Sequence, residues 1–376
     1  MKRAKVRYSY LRQQFASPDA ILKGIRDLVT RRADYTLGAA VRQFESSFAS
    51  HIGTRHAVGV GSGTDALKLA LKAAGVKPGD EVITAANTFI ATVGAIHEIG
   101  AKAVLVDITP YYTIDTGKIE KAITRRTRVI LPVHFTGEPA DMDEVLRIAR
   151  RHKLIVVEDA CQAIGARYEG KNVGTFGAAA GFSLHPLKNL NVWGDGGIVV
   201  TNNAGMDRQL RLLRNHGLSS RNEVVLLGHN SRLDTLQAIV GNWLIRDVDK
   251  ITNRRIANAA RYEEAFSELP ESITLAPKRA GVRRVYHLFM MRVRFRDKLY
   301  RYLREHGIEA KIHYPIPLHL QRGLAPLGYH RGSFPESEQQ AREVISLPVD
   351  QHLSRRQIDY AIKTVRTFYG NSRSLS

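Results

Sequence analysis

The stretch Leu154-Ile155-Val156-Val157-Glu158-Asp159 decides the fold class. Four consecutive large apolar residues leave no polar face, so the run suits a strand covered on both sides, as in a mostly parallel sheet. Its two carboxylates stand at the carboxyl end, the edge of an open α/β sheet at which ligands bind. Outward from this run, β-rich segments over 57–60, 81–84, 103–107, 129–134, 181–184 and 197–201 alternate with helical patterns over 64–74, 88–99 and 141–152. Alternation of this kind is α/β. Before it come a basic arm and helices over 18–31 and 39–51. After about residue 249 the rhythm breaks into a helix over 253–269, a strand over 288–295 and helices over 298–305 and 337–345. Two domains are expected: residues 1–248, an N-terminal arm with a large α/β domain, and residues 249–376, a small C-terminal α+β domain.

A chain of 376 residues with 44% hydrophobic and 24% charged residues is too apolar for disorder and large enough for two cores. The single cysteine, Cys161, forbids an internal disulfide, and no apolar run is long enough for a membrane helix. With no apolar leader near the start, the expectation is a cytoplasmic protein without a membrane. Lys and Arg number 56 against 36 Asp and Glu, a net charge of +20, which calls for anionic partners. The basic residues are scattered as pairs, such as Arg31-Arg32, Arg150-Arg151 and Arg283-Arg284, without the aromatic interleaving of a single-strand binder. Nucleic acid is therefore not the expected partner, and solvated helix faces that steer an anionic substrate are.

Three stretches carry chemistry. Gly61-Ser62-Gly63-Thr64-Asp65-Ala66 lies between a strand and a helix, so free amides and a positive helix end suit a phosphate, although the motif is neither the dinucleotide fingerprint nor the nucleoside-triphosphate loop. Asp159 at its strand end can cap the next segment, act as a base or hold a cationic ring nitrogen; metal is not expected, since no ligands stand at metal spacing nearby. Gly181-Phe-Ser-Leu-His-Pro-Leu-Lys-Asn-Leu190 turns at Pro186 and places Lys188 on a loop at the sheet edge, ahead of the flexible Gly194-Asp195-Gly196-Gly197. A phosphate cradle, a strand-end Asp and a loop Lys are the anchor, ring partner and Schiff-base amine that pyridoxal 5'-phosphate requires.

With Thr88-Phe-Ile-Ala-Thr92, Val133-His-Phe-Thr-Gly137, Glu158-Asp-Ala-Cys-Gln-Ala-Ile-Gly165 and Gly228-His-Asn-Ser-Arg-Leu-Asp234 in the same order, the chain resembles the DegT/DnrJ/EryC1/StrS family of pyridoxal-phosphate sugar aminotransferases, of fold type I. The resemblance implies that Lys188 forms the Schiff base and that Asp159 pairs with the pyridinium nitrogen. Gly63 and Thr64 amides and the Ser183 hydroxyl would hold the phosphate, Phe89 would stack on the ring and Gln162 would lie near its phenolic oxygen. Asn230 would reach the cofactor of a neighbouring subunit, implying a homodimer with shared active sites, while His185, Tyr314 and His319 stand at substrate-side positions. The implied reaction moves an amino group from an amino acid, L-glutamate by the resemblance, to a keto-sugar linked to a nucleoside diphosphate.

Two positions depart from the common family pattern. Ser231 stands where many relatives have Tyr, and Ala178 where an acidic residue is common. A branch of the family that removes a sugar hydroxyl replaces the lysine by histidine, so Lys188 argues for transamination over a sugar dehydratase. A basic regulatory or nucleic-acid-binding protein on the same fold is a further alternative, against which the intact Lys188, Asp159 and Ser183 count.

Overall fold

The computed structural model describes residues 5–370. The large sheet contains β1 (His56–Val60), β2 (Glu81–Ala85), β3 (Lys102–Val106), β4 (Thr127–Leu131), β5 (Ile155–Asp159), β6 (Ala179–Ser183) and β7 (Gly197–Thr201). Their order across the sheet is β1-β7-β6-β5-β4-β2-β3. Every pairing is parallel except those of β7, which runs against both β1 and β6. Strands β2 and β7 are buried along their whole length, the expected consequence of helices on both faces.

Helices α1 (Asp19–Asp27), α2 (Ala39–Ile52), α3 (Gly63–Ala73), α4 (Ile90–Glu98), α5 (Met142–His152), α6 (Ala204–Leu213) and α7 (Thr235–Leu244) accompany the sheet. Local sequence explains their ends. Asp141 caps α5 by accepting from Glu144 N, Asp143 and Glu144 lie in its first turn, and Arg150, Arg151 and His152 close its last, all favourable to the helix dipole. Ser62 caps α3, its Oγ accepting from Asp65 N at 3.1 Å.

The seating of α3 on the sheet is unusually close. A Cβ on Gly63 would lie 2.6 Å from Ser183 Cβ, and one on Gly197 would lie 2.1 Å from the Ser62 carbonyl oxygen. Only glycine lets the start of the helix rest directly on the ends of β6 and β7.

The 19-residue helix α8 (Val248–Phe266) leads to a second, antiparallel sheet of β8 (Ile273–Leu275), β9 (Phe289–Val293) and β10 (Val344–Leu347), in that order, with α9 (Arg296–Glu305), α10 (Pro335–Glu343) and α11 (Arg355–Gly370). The helix expected over 337–345 ends at Glu343, because Val344-Ile345-Ser346-Leu347 is fully buried and extends against β9. The core of this unit gathers Tyr262, Phe266, Phe289, Leu299, Ile358 and Val365, and the N-terminal arm sends Val6 and Tyr10 into it. The arm is fastened there by Val6 N to Gly307 O at 3.1 Å and Tyr8 N to Glu309 Oε2 at 2.8 Å.

Gly197→Ala places its methyl group inside the Ser62 carbonyl. We expect a loss of about 3 kcal/mol in urea unfolding, the upper range for forced overpacking, whereas an alanine at the unobstructed Gly323 leaves the midpoint unchanged.

Candidate active site

A cavity of about 420 Å³ opens where the carboxyl ends of β5 and β6 and the start of α3 meet the arm and the second domain. It is lined by Gly63, Thr64, Phe89, Asp159, Gln162, Ser183, His185, Lys188 and Tyr314, so the structure brings most of the expected site residues together. Two stand apart. Asn230 is exposed and lies outside the cavity. His319 does not line the cavity: it is buried, its Nε2 meets Glu338 Oε1 at 3.0 Å, and its ring lies edge-on to Phe334. Those partners make it a packing residue here, which corrects its placement on the substrate side.

The two carboxylates of β5 point to opposite faces of the sheet. Glu158 is fully buried and saturated: Gly174 N, Phe176 N and Gly177 N donate to it, and His134 Nε2 lies 3.0 Å from Oε2. Because His134 Nδ1 accepts from Ala140 N at 3.0 Å, the ring proton belongs on Nε2, where it is donated to Glu158. Asp159 faces the cavity instead. Thr92 Oγ1 donates to its Oδ2 at 2.8 Å and Cys161 N to its Oδ1 at 3.1 Å. Thr88 Oγ1 stands 2.8 Å from Thr92 Oγ1, and since Thr92 spends its proton on Asp159, Thr88 is the donor of that pair. Both carboxylate oxygens thus accept a hydrogen bond, which fixes the direction of the carboxylate toward the cavity.

Lys188 follows a turn closed by its own amide to His185 O at 2.8 Å. Burial pulls its ammonium below the ordinary lysine value, partly offset by the nearby Asp159 carboxylate. The same burial raises the Cys161 thiol well above its usual range, so the neighbour is a neutral S–H. Burial also pushes the Tyr314 hydroxyl up to about 12, aided by the charge of Asp159, and drives His313 down to about 4. Around the cavity burial thus disfavours the charged form of the lysine, while Tyr314 stays protonated and His313 stays neutral near pH 7.

Ser183 Oγ faces the start of α3, 3.0 Å from where a Gly63 Cβ would stand, and accepts from His185 N at 3.4 Å. The Gly63 and Thr64 amides precede the first helical bond, Ala66 N to Ser62 O at 2.9 Å. A side-chain-free helix start, a hydroxyl beside it, a carboxylate facing the cavity and a buried lysine on one cavity fit pyridoxal phosphate: Gly63, Thr64 and Ser183 are the groups that would hold its phosphate, and Asp159 the one that would face its ring. Ser231 ties this cradle from below: its Oγ accepts from Gly61 N at 3.1 Å and donates to Asp65 Oδ2 at 2.9 Å.

Several cavity residues carried no assigned role in the sequence. Thr88 and Thr92 are spaced four apart with their hydroxyls on one helical face, a signal that could have marked them. Tyr8, Arg255, His287, Lys311 and Gln351 come from the arm and the second domain, and no local pattern joins them to the sheet edge. Thr92→Val keeps the shape and removes the donor to Asp159. We expect a fall in turnover of about 10- to 100-fold with cofactor still bound, measured by steady-state kinetics and absorbance.

The model of the DegT/DnrJ/EryC1/StrS aminotransferase family matches residues 21–366. The chain is 43% identical over 363 residues to a dTDP-3-amino-3,4,6-trideoxy-alpha-D-glucose transaminase of Streptomyces venezuelae, covering 96% of this chain and 94% of that one. It is 41% identical over 365 residues to a UDP-N-acetyl-3-dehydro-alpha-D-glucosamine 3-aminotransferase of Acidithiobacillus ferrooxidans, covering 96% and 97%. It is also 41% identical over 361 residues to a pleiotropic regulatory protein of Geobacillus stearothermophilus, covering 96% and 97%. Among solved structures, S. venezuelae DesV in complex with a ketimine intermediate superposes with a TM-score of 0.94 at 42% identity, covering 98% and 99%. Bacillus subtilis NtdA with bound cofactor PMP superposes with a TM-score of 0.90 at 30% identity, covering 98% and 86%.

Proposed function

The chain belongs to the DegT/DnrJ/EryC1/StrS aminotransferase family and is a pyridoxal-phosphate-dependent sugar aminotransferase of fold type I, and from that premise we propose that it transfers an amino group from L-glutamate to a keto-sugar carried on a nucleoside diphosphate. The observation that carries the reading is the buried Lys188 amine sharing one cavity with Asp159 and the start of α3. When bound, the cofactor supplies an electron sink that stabilises negative charge at the reacting carbon. The chain's residues do the rest. Asp159 would hold a positive charge on the ring nitrogen, and Ser183 with the α3 amides would fix the phosphate. The Lys188 amine would take and return the proton at the substrate carbon. Tyr314, kept protonated, is a hydrogen-bond donor toward the cavity.

The net charge of +20 supports an anionic acceptor. Two of the relatives named above act on dTDP- and UDP-linked sugars, so either nucleotide is compatible with the reading. A homodimer is supported by apolar surface beside Asn230: Leu227 is 87% exposed, with Val224 and Val225 exposed on the same segment. The reading also keeps the domain division at residue 248 and a cytoplasmic setting. Among the described residues no helix is long and apolar enough to cross a membrane.

Lys188→Ala is expected to abolish both covalent retention of pyridoxal phosphate after borohydride treatment, read by mass spectrometry, and turnover, since no other described lysine apart from Lys311 lines the cavity. Retained turnover would refute the assignment. The acceptor class is tested by incubating the protein with glutamate and a panel of dTDP- and UDP-keto-sugars. Stoichiometric 2-oxoglutarate and amino-sugar are expected, whereas deoxygenated sugar without 2-oxoglutarate identifies a dehydratase.

A further inference from the structure

Behind Lys188, away from the main cavity, lies a second and much smaller void of about 10 Å³, bounded by Cys161, Gln162, Lys188, Asn189 and His287. Cys161, Gln162, Ser183, Lys188 and His287 line both spaces, so together they form the wall between them. Two of the residues that line this void each carry a buried side-chain atom without a hydrogen-bond partner among the described residues: Asn189 Oδ1 and His287 Nδ1. An orphaned buried acceptor is costly, and two on one void are a signal, because a void of this size has room for a single water.

Contacts outside the void fix the Asn189 amide and the backbone that carries His287. Asn189 Nδ2 donates to Val285 O at 3.3 Å, and flipping the amide would set oxygen against oxygen there. Arg255 Nε donates to Tyr286 O at 3.0 Å and Arg255 Nη2 to His287 O at 2.9 Å, pinning the backbone that carries the imidazole. Val285 N donates to Gly137 O at 3.0 Å from the other side. The Asn189 amide therefore keeps its oxygen on the side away from Val285, and the segment that carries His287 is held in place.

We propose that the void holds one bound water shared by Asn189 Oδ1 and His287 Nδ1, and that these two are positioning residues which, through that water, orient the Lys188 amine. The hydrogen count closes. The water donates one hydrogen to Asn189 Oδ1 and one to His287 Nδ1, and its oxygen accepts from Lys188. The imidazole proton then sits on Nε2. His287 stays neutral for this role: burial, with Lys188, Arg255, His313 and His185 around it, holds it well below the ordinary histidine range. The charged and titratable groups facing Lys188 itself are Asp159 and Cys161, with His287 across the void. The proposal rests on Lys188 being the reactive amine, and it assigns to two residues outside the cofactor set the task of keeping that amine aimed.

The test uses the full chain without added cofactor. Competitive acetylation across pH, read on the Lys188 peptide by mass spectrometry, gives the titration of the amine directly. In His287→Phe and in Asn189→Leu the ammonium loses the acceptor chain, so its midpoint falls by about one further pH unit, while His287→Gln, which still binds water, keeps the parent midpoint. Unchanged midpoints in both apolar variants overturn the proposal, as does a high-resolution crystal structure of the unaltered protein in which the void is dry. A water within hydrogen-bond distance of both orphaned atoms upholds it even where a variant fails to fold. Adding pyridoxal phosphate to the unaltered protein tests the underlying reading separately: failure to develop visible absorbance removes the aminotransferase assignment and leaves the labelling result standing.

Discussion

The site depends on how closely the start of α3 rests on the ends of β6 and β7. Three glycines permit it. Gly63 leaves room for Ser183, Gly197 for the Ser62 carbonyl, and Gly181 for Leu67, whose Cδ2 would lie 2.8 Å from an added Cβ. Move the helix outward by one methyl group and its free amides no longer converge with the Ser183 hydroxyl on one point. The anion site is made by the absence of side chains more than by their presence, and the hydrophobic face of α3, with Ala66, Leu67, Ala70 and Leu71 buried, holds the helix there.

The strand beside it sorts two neighbouring carboxylates into unlike tasks. Glu158 and Asp159 differ by one position and therefore by one face. The first is consumed by three backbone amides and a histidine, closing the 174–177 turn beneath the sheet. The second is left with one hydroxyl and one amide, enough to fix its direction while leaving it open to the cavity. Breaking the first costs stability, because a buried charge loses its partners; breaking the second costs chemistry. Ser231 belongs with the stabilising group. Its small hydroxyl bridges Gly61 and Asp65 under the phosphate cradle, so a position that departs from the common family residue has been absorbed into the support of the site.

The large sheet was legible because its signals are local. The apolar run ending in Asp159 is β5, the run over 197–201 is β7 to the residue, and the Gly-Ser-Gly-Thr turn opens α3 where expected. The second domain was less legible. Val344–Leu347 continues directly from α10, and a four-residue buried strand has no turn to announce it. In the site, the residues contributed by β5, β6 and the α3 turn were readable from motif order, whereas Arg255, His287 and Lys311 enter the cavity through tertiary packing across large separations. His319 shows the opposite case: the sequence places it near Tyr314, but a 3₁₀ turn over Leu318–Leu320 rotates it inward onto Glu338.

The excess of positive charge, read in the sequence as one property, divides in the structure into several. Of the basic pairs, Arg126 bonds Glu81, Arg151 bonds Glu120, Arg284 bonds Glu138, and Arg255 is buried against backbone carbonyls. Those cations do structural work and are largely neutralised or enclosed. What remains for a ligand is more selective. Lys311 sits 4.5 Å above the Tyr8 ring at the cavity wall, and His287 and His313 beside it stay uncharged. Here the electrostatic field comes from few sources of fixed position: the lysines, the helix end and the Arg255 guanidinium, set against Asp159, Asp195 and Asp350. A field built this way discriminates by where an anionic group lies, which a diffuse basic surface does not do, and that locality separates a small anionic substrate from a polyanion as the fitting partner.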